Sequence, residues 1–252
     1  MNDEVKKKIS YLFDGVESTL QNTDPEWVDI VANFSQNETI DASRLTEKEQ
    51  MLCILSVLLG CQGMGEFQNM LHAALNTGID PITIKEVIYQ ATAYLGIGRT
   101  YDFLAATNQI MEQHGIKLPL APQATTNEKT RFEDGLTKQV ELFGSNMAKR
   151  QTDGPALRRN INRWLADNCF GDYYTRNGLN DQERELITFC FILAQGGCEN
   201  QLRGHTAGNF GVGNDKEKLY SVVEQCMPYV GYPRSLNAMN IIDEVSRVME
   251  NQ

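Results

Sequence analysis

Apolar residues recur along this chain at the spacing of an α-helix. Asp80 and Pro81 combine a side-chain cap with a proline at the first helical position, which is a typical helix start. Downstream of it, apolar residues recur every three or four positions at Ile84, Val87, Ile88, Ala91 and Leu95. The same pattern returns at Leu219, Val222, Val223, Cys226 and Val230. Because no segment alternates convincingly between apolar and polar residues, we predict an all-α protein.

Two segments, Met51 to Gly60 and Leu186 to Ala194, are apolar on nearly every side. A helix with that pattern is expected in the middle of a bundle, where it has no face towards water. The last helix of each half carries an apolar stripe, between Phe103 and Met111 and between Leu236 and Met249. Core packing accounts for these stripes, and assembly of several copies would complete their burial.

The chain repeats itself. The similar segments are Leu45–Leu52 with Leu179–Leu186, and Tyr94–Arg99 with Tyr229–Arg234. From Gly78 and Gly213 onward the two halves stay in register at an offset of 135 residues without a gap. This regularity predicts two copies of one helical unit.

Residues 115–127 separate the copies, since they contain two prolines and small polar residues but no apolar period. We therefore place the boundary between two tandem repeats, residues 1–121 and 122–252.

The composition argues against nucleic acid as a partner. The formal net charge is −10, whereas nucleic-acid binding needs clustered cations. The one basic cluster lies among apolar residues of a helical segment and is interpreted as a solvated helix face. It consists of Lys149, Arg150, Arg158, Arg159 and Arg163.

The chain carries no pattern of export or membrane insertion. Its first residues mix both charge signs, and no stretch reaches the roughly 18 apolar residues of a membrane span. The six cysteines form no Cys-x-x-Cys pair and no metal-binding cluster. We expect a cytoplasmic protein with reduced thiols and without a metal site.

Four motifs of the second copy resemble the carboxymuconolactone decarboxylase family. They are Phe170–Leu179, Glu183–Ile187, Gln201–His205 and Tyr229–Ala238. The first copy resembles the family more loosely, through Leu45 to Arg99. The resemblance implies two tandem helical repeats of the alkylhydroperoxidase-like fold. By analogy with single-repeat members that form hexamers, it implies a homotrimer whose six repeats make a ring.

The family has a thiol-dependent branch, whose motif is Cys-x-x-Cys-x-x-x-His. In this chain Cys198 and His205 stand in that register, but Gln201 replaces the second cysteine. In the first copy, Met70 takes the place of His205 by the gapless alignment. The dithiol cycle therefore lacks a local resolving thiol in either half. We expect the first repeat to have a degenerate site and the second to be active.

The decarboxylase branch needs no thiol, metal or cofactor, and its resemblance implies a small carboxylated lactone or enol substrate. His205 is the candidate proton carrier, because an imidazole titrates near neutral pH, and Glu185 would orient it. Arg176 would bind a substrate carboxylate in fork geometry. Cys198 is a candidate for contact with the substrate or for a reactive thiol beside His205.

The sequence leaves several alternatives open. Glu49 precedes Cys61 by 12 residues whereas Glu185 precedes Cys198 by 13, with the extra glycine of 196–197 as the cause, so Glu183 stays a candidate. Arg176 has Asp172 as an alternative partner, and Cys198 has a structural role as a buried filler. Structural roles are expected for His72 and His114, and packing roles for Tyr94 and Tyr229.

Two rival functions accompany the decarboxylase hypothesis. One is a thiol-based, peroxidase-like antioxidant protein that uses Cys198 with a resolving thiol distant in sequence. The other is a non-catalytic assembly or binding protein.

Overall fold

The computed structural model describes residues 2–14, 18 and 20–251, which are mostly helical and contain no strand. The first half comprises α1 (Asp3–Phe13), α2 (Leu20–Thr23), α3 (Pro25–Asn33), a first π-helical segment (Phe34–Glu38), α4 (Thr39–Ala42), α5 (Glu47–Cys61), α6 (Met64–Asn76), α7 (Pro81–Leu95) and α8 (Ile97–Gln113). The second half comprises α9 (Arg131–Phe143), α10 (Asn146–Thr152), a 3-10 turn (Ala156–Arg158), α11 (Arg159–Trp164), a second π-helical segment (Leu165–Tyr174), α12 (Asp181–Gln195), α13 (Glu199–Gly211), α14 (Lys216–Val230) and α15 (Tyr232–Glu250). The predicted all-α class is confirmed.

The helix bounds reproduce the internal repeat. Helices α5 to α8 correspond to α12 to α15: the starts of α5 and α12 differ by 134 residues, and those of the three later pairs by 135. The additional residue lies in the turn after α12, where Gly196 and Gly197 both have positive φ. Two tandem copies of one four-helix unit are therefore confirmed.

Local signals set the helix starts. Thr46 and Asn180 begin α5 and α12 with capping boxes, and the side chain of Asp80 accepts a hydrogen bond from the backbone of Ile82 at the start of α7. The expected boundary at residues 121 and 122 falls in the segment between α8 and α9, residues 114–130.

The two repeats share their cores. Helices α5 and α12 pack against each other at the centre, α7 packs on α12, and α14 packs on α5. The two predicted all-apolar segments, 51–60 and 186–194, are buried throughout. One core cluster combines the first repeat with Ile187 and Phe191, and the other combines the second repeat with Cys53 and Val57. Because α7 lies on α12, side chains of the first repeat reach the second repeat's central helix.

No helix within the described ranges has the length and apolar character needed to cross a bilayer.

Candidate active site

His205 on α13 and Glu185 on α12 form a partly buried pair. The imidazole Nδ1 lies 2.8 Å from the Glu185 Oε2. The Glu185 side chain is fully buried, while 12% of the His205 side chain is exposed. A buried carboxyl group needs hydrogen-bond partners to offset its loss of water. The structure therefore brings together two of the four candidate residues named from the sequence.

Tyr174, at the end of the second π-helical segment, forms a hydrogen bond with the other carboxylate oxygen of Glu185. Its hydroxyl donates to Glu185 Oε1 at 2.8 Å. Burial raises the pKa of Tyr174 well above its usual value, so the hydroxyl keeps its proton and remains a donor. The hydroxyl of Thr188 lies 3.0 Å from the Tyr174 hydroxyl. Sequence reasoning did not single out Tyr174, although it lies inside the motif Phe170–Leu179.

These contacts define which nitrogen of His205 is free. The hydrogen bond with Glu185 Oε2, at 2.8 Å, engages the Nδ1 atom of His205. The other ring nitrogen, Nε2, has no hydrogen-bond partner among the residues that the structure describes. The imidazole can therefore exchange a proton through Nε2 while Glu185 holds its orientation.

Aromatic side chains fix the imidazole ring. Tyr94 from α7 and Phe143 from α9 each contact His205 edge to face, with ring centroids 5.3 Å apart. The Tyr94 hydroxyl also lies 2.9 Å from the Tyr174 hydroxyl, and burial raises the pKa of Tyr94 well above its usual value. Tyr94 packs, as expected, but it belongs to the first repeat. The site of the second repeat is thus completed by the first.

Gly208 permits the close approach of α13 to Glu185. A Cβ at this position would lie 2.4 Å from Glu185 Oε2 and 3.0 Å from the ring of Phe143. One residue later, the Asn209 side-chain amide donates to the backbone carbonyls of Glu185 and His205. The glycine and the amide together hold the two helices at the separation that the 2.8 Å contact requires.

Glu183 has a different place from Glu185. It is the capping residue of α12, accepting from the backbone of Asn180, and its carboxylate pairs with Lys48. Its counterpart in the first repeat is Glu49, which caps α5 in the same way. The carboxylate that meets His205 is therefore Glu185.

Comparison of the sequence with known protein families identifies a match. The sequence model of the carboxymuconolactone decarboxylase family matches residues 25–109 and 160–244, about two thirds of the chain. The chain belongs to this family. A curated relative, the 4-carboxymuconolactone decarboxylase of Acinetobacter baylyi, is 28% identical over 120 residues, which are 47% of this chain and 89% of the relative.

A solved structure of a Burkholderia xenovorans protein, named as a gamma-carboxymuconolactone decarboxylase subunit, has a TM-score of 0.56 to this chain. The alignment covers 97% of both chains at 15% identity. At that identity the likeness supports the fold alone, and it shows that the whole tandem arrangement has a structural precedent.

Arg176 does not join the His205 site of this family member. Its Nε lies 3.0 Å from both carboxylate oxygens of Glu86 on α7, and its guanidinium stacks on Tyr89. The alternative partner, Asp172, pairs with Arg131 instead. Glu86 is buried and requires a cation, which explains why Arg176 is held there rather than beside His205.

Cys198 also lies apart from the imidazole. It is the N-terminal cap residue of α13, and its sulfur accepts a hydrogen bond from Gln195 at 3.4 Å. Seven residues of helix place the Cα atoms of Cys198 and His205 about 10 Å apart along the axis. In the alignment of the two repeats by their helix bounds, Cys198 corresponds to Gly63. Cys61 is the last residue of α5. The sulfur therefore has no hydrogen bond to His205.

The first repeat of this decarboxylase-family chain has an apolar counterpart of the site. By the helix bounds, Met70 corresponds to His205 and Met51 to Glu185, and both methionines are buried. Tyr229 corresponds to Tyr94, and its hydroxyl accepts a hydrogen bond from Gln36 at 3.4 Å. The hydrogen-bonded pair of histidine and glutamate is present in the second repeat and is replaced by buried methionines in the first.

Two other histidines lie outside the site. His72 Nδ1 and His114 Nε2 are 2.9 Å apart and contact each other. Within the described part of the chain, no group of three or more His, Cys, Asp or Glu side chains is arranged to hold a metal ion.

Proposed function

We propose that this chain is a carboxymuconolactone decarboxylase-like enzyme that acts on a small carboxylated lactone or enol without a cofactor. The supporting observation is the buried chain from Tyr174 through Glu185 to Nδ1 of His205, which leaves Nε2 free. The name of the Acinetobacter relative supplies the substrate class. The working site lies in the second repeat.

The reaction we propose transfers one proton from the enzyme to the substrate carbon. The bond from the ring carbon to the carboxylate breaks, CO2 leaves, and the electron pair moves into the lactone carbonyl to give an enolate. Protonated His205 then donates the Nε2 proton to carbon and regains a proton from solvent. Glu185 acts as a positioning residue that also stabilises the imidazolium. A well-placed general acid contributes about 10²- to 10⁴-fold in rate.

The aromatic surroundings suit this chemistry. Tyr94 and Phe143 contact the imidazole, and within the described ranges no Lys or Arg forms an ion pair with Glu185. His205 is thus the cationic group that balances Glu185 when protonated. A carboxylate leaving water for this apolar site would be destabilised relative to CO2, which is neutral.

Homo-oligomer formation is part of the proposal. Trp27 and Ile30 in α3 correspond to Ile161 and Trp164 in α11 by the offset of 134, and all four side chains are more than half exposed. Large exposed apolar side chains at matching positions of two repeats indicate a surface that is used twice. A trimer with six repeats in a ring would cover all such surfaces.

The assembly is tested by light scattering of the full chain after size exclusion. We expect three times the mass of one chain, and a lower mass for Trp27→Glu and for Trp164→Glu. A monomer in the unchanged protein would contradict the ring.

The activity is tested with 4-carboxymuconolactone and related carboxylated butenolides. His205→Gln should lower kcat by about 10²- to 10⁴-fold while the circular dichroism and Tm stay near those of the parent. His72→Gln is the matched control, because it replaces a histidine outside the site, and it should keep full turnover. Undiminished turnover in His205→Gln would overturn the proposal.

A further inference from the structure

A cleft lies apart from the His205 site, between α7, α8 and the segment 114–130. Its volume is about 470 Å³, within the range of small-molecule sites. Its lining includes Lys85, Tyr89 and Asn108 from α7 and α8, Leu118 and Pro122 from the segment 114–130, and Arg176 from the second repeat. None of these residues contacts His205 or Glu185.

Lys85 is a buried cation without an anionic partner. Only 9% of the residue is exposed, and its ammonium donates to the Oδ1 of Asn108. No carboxylate among the described residues forms an ion pair with it. An ammonium has three donors, so two remain for other acceptors. Burial lowers the pKa of Lys85, as expected for a charge that lacks a counterion.

The neighbouring carboxylate does not neutralise Lys85. Glu86 is bound by Arg176 at 3.0 Å and by Arg184 at 3.4 Å, so two guanidinium groups already share it. Glu112 also lines the cleft, but its side chain is exposed to solvent. The buried part of the cleft therefore carries excess positive charge in a chain whose net charge is −10.

The corresponding positions of the second repeat carry different charges. By the offset of 135, Lys85 corresponds to Tyr220 and Asn108 to Asp243. Asp243 pairs with Lys216 at 2.7 Å and hydrogen-bonds to Tyr220. The first repeat thus has the amide of Asn108 where the second has the carboxylate of Asp243. It has the ammonium of Lys85, which forms no ion pair with a described carboxylate, where the second has the phenol of Tyr220.

We propose that this cleft binds a small organic carboxylate, with the carboxylate on Lys85 and the hydrocarbon part against the apolar wall of the segment 114–130. Leu118, Leu120 and Pro122 provide that wall, and the Tyr89 ring, stacked under Arg176, adds a flat surface. The charge of Lys85 selects an anion, and the apolar wall favours a carboxylate with a hydrocarbon body over inorganic phosphate.

The proposal is tested by calorimetric titration of the full chain with benzoate, up to about 10 mM, since a single ion pair with apolar contact gives millimolar affinity. Two comparison ligands separate the contributions. Benzamide has the same shape as benzoate but no charge, and inorganic phosphate has the charge but no ring. We expect benzoate to bind at least tenfold more tightly than either. No binding of benzoate, or equal binding of phosphate, would overturn the proposal.

Two variants locate the binding. Lys85→Gln removes the cation, and Asn108→Asp supplies an internal carboxylate to Lys85 at nearly unchanged volume, so each should weaken benzoate binding at least tenfold. Lys216→Gln is the matched control, since it removes a lysine of the corresponding region in the second repeat, and it should bind benzoate like the parent. Unchanged affinity in a folded Asn108→Asp variant would overturn the assignment. The readout is binding alone, so the result is independent of the proposed enzymatic function.

Discussion

Replacing Gly208 with alanine adds one methyl group where α13 meets Glu185. The new Cβ would lie 2.4 Å from the Glu185 Oε2 and 3.0 Å from the Phe143 ring. An ordinary van der Waals contact needs about 3.5 Å, so the carboxylate must move by roughly 1 Å. Its 2.8 Å contact with His205 cannot survive such a shift.

The size of the effect follows from two opposing terms. Overpacking a buried site costs typically 1–3 kcal/mol, whereas replacing glycine by alanine inside a helix gains about 1 kcal/mol. Gly204→Ala is the matched control, because Gly204 lies on the same helix and a Cβ there meets nothing within 4 Å. Gly204→Ala should raise stability by about 1 kcal/mol. Gly208→Ala should be about 1–3 kcal/mol less stable than Gly204→Ala.

The comparison is made by thermal unfolding at one protein concentration, where each kcal/mol shifts Tm by about 2–4 °C in a chain of this size. The imidazole resonances of His205, followed by NMR, report the loss of the Glu185 contact directly. If the two variants melt together and the His205 resonances are identical in both, a side chain at position 208 does not disturb the contact between Glu185 and His205.

Three further predictions concern Tyr174, the cysteines and His72. Tyr174→Phe removes a hydrogen bond to a buried carboxylate and should lower the free energy of unfolding by about 1.5–3 kcal/mol in denaturant; a neutral effect would contradict that bond. Iodoacetamide should label native Cys198 and Cys61 alone, because the other four thiols are buried, and peroxide should form no disulfide at Cys198; mass spectrometry reads both, and such a disulfide would favour the redox alternative. The pKa of His72, lowered by burial and then by His114, should rise in His114→Ala when followed by NMR, since a like charge is removed; an unchanged value would refute the coupling.

Much of the fold follows from local pattern. The cap at Asp80, the all-apolar segments 51–60 and 186–194 and the register between the halves each depend on residues a few positions apart. The same register placed His205 in the second repeat and Met70 in the first. The additional glycine of 196–197 accounts for the one-residue difference between repeats, as the sequence indicated. The tandem helical architecture was therefore predictable.

The choice between Glu183 and Glu185 needed the structure. Both lie at the start of α12, and their spacing alone did not determine which one faces α13. The capping box occupies Glu183, which leaves Glu185 to face the buried side. Arg176 could be assigned to a site, but its partner Glu86 lies 90 residues away in sequence.

Helical periodicity and capping are encoded within one or two turns, so the amino-acid sequence alone predicted the main helices, their repeat and a candidate histidine. The side chains that surround this histidine depend on how the helices pack. Tyr94 reaches it from the first repeat because α7 packs on α12, and this contact spans more than 100 residues of chain. Such contacts arise from the crossing of helices that share a core, and no local period records which side chains the crossing brings together.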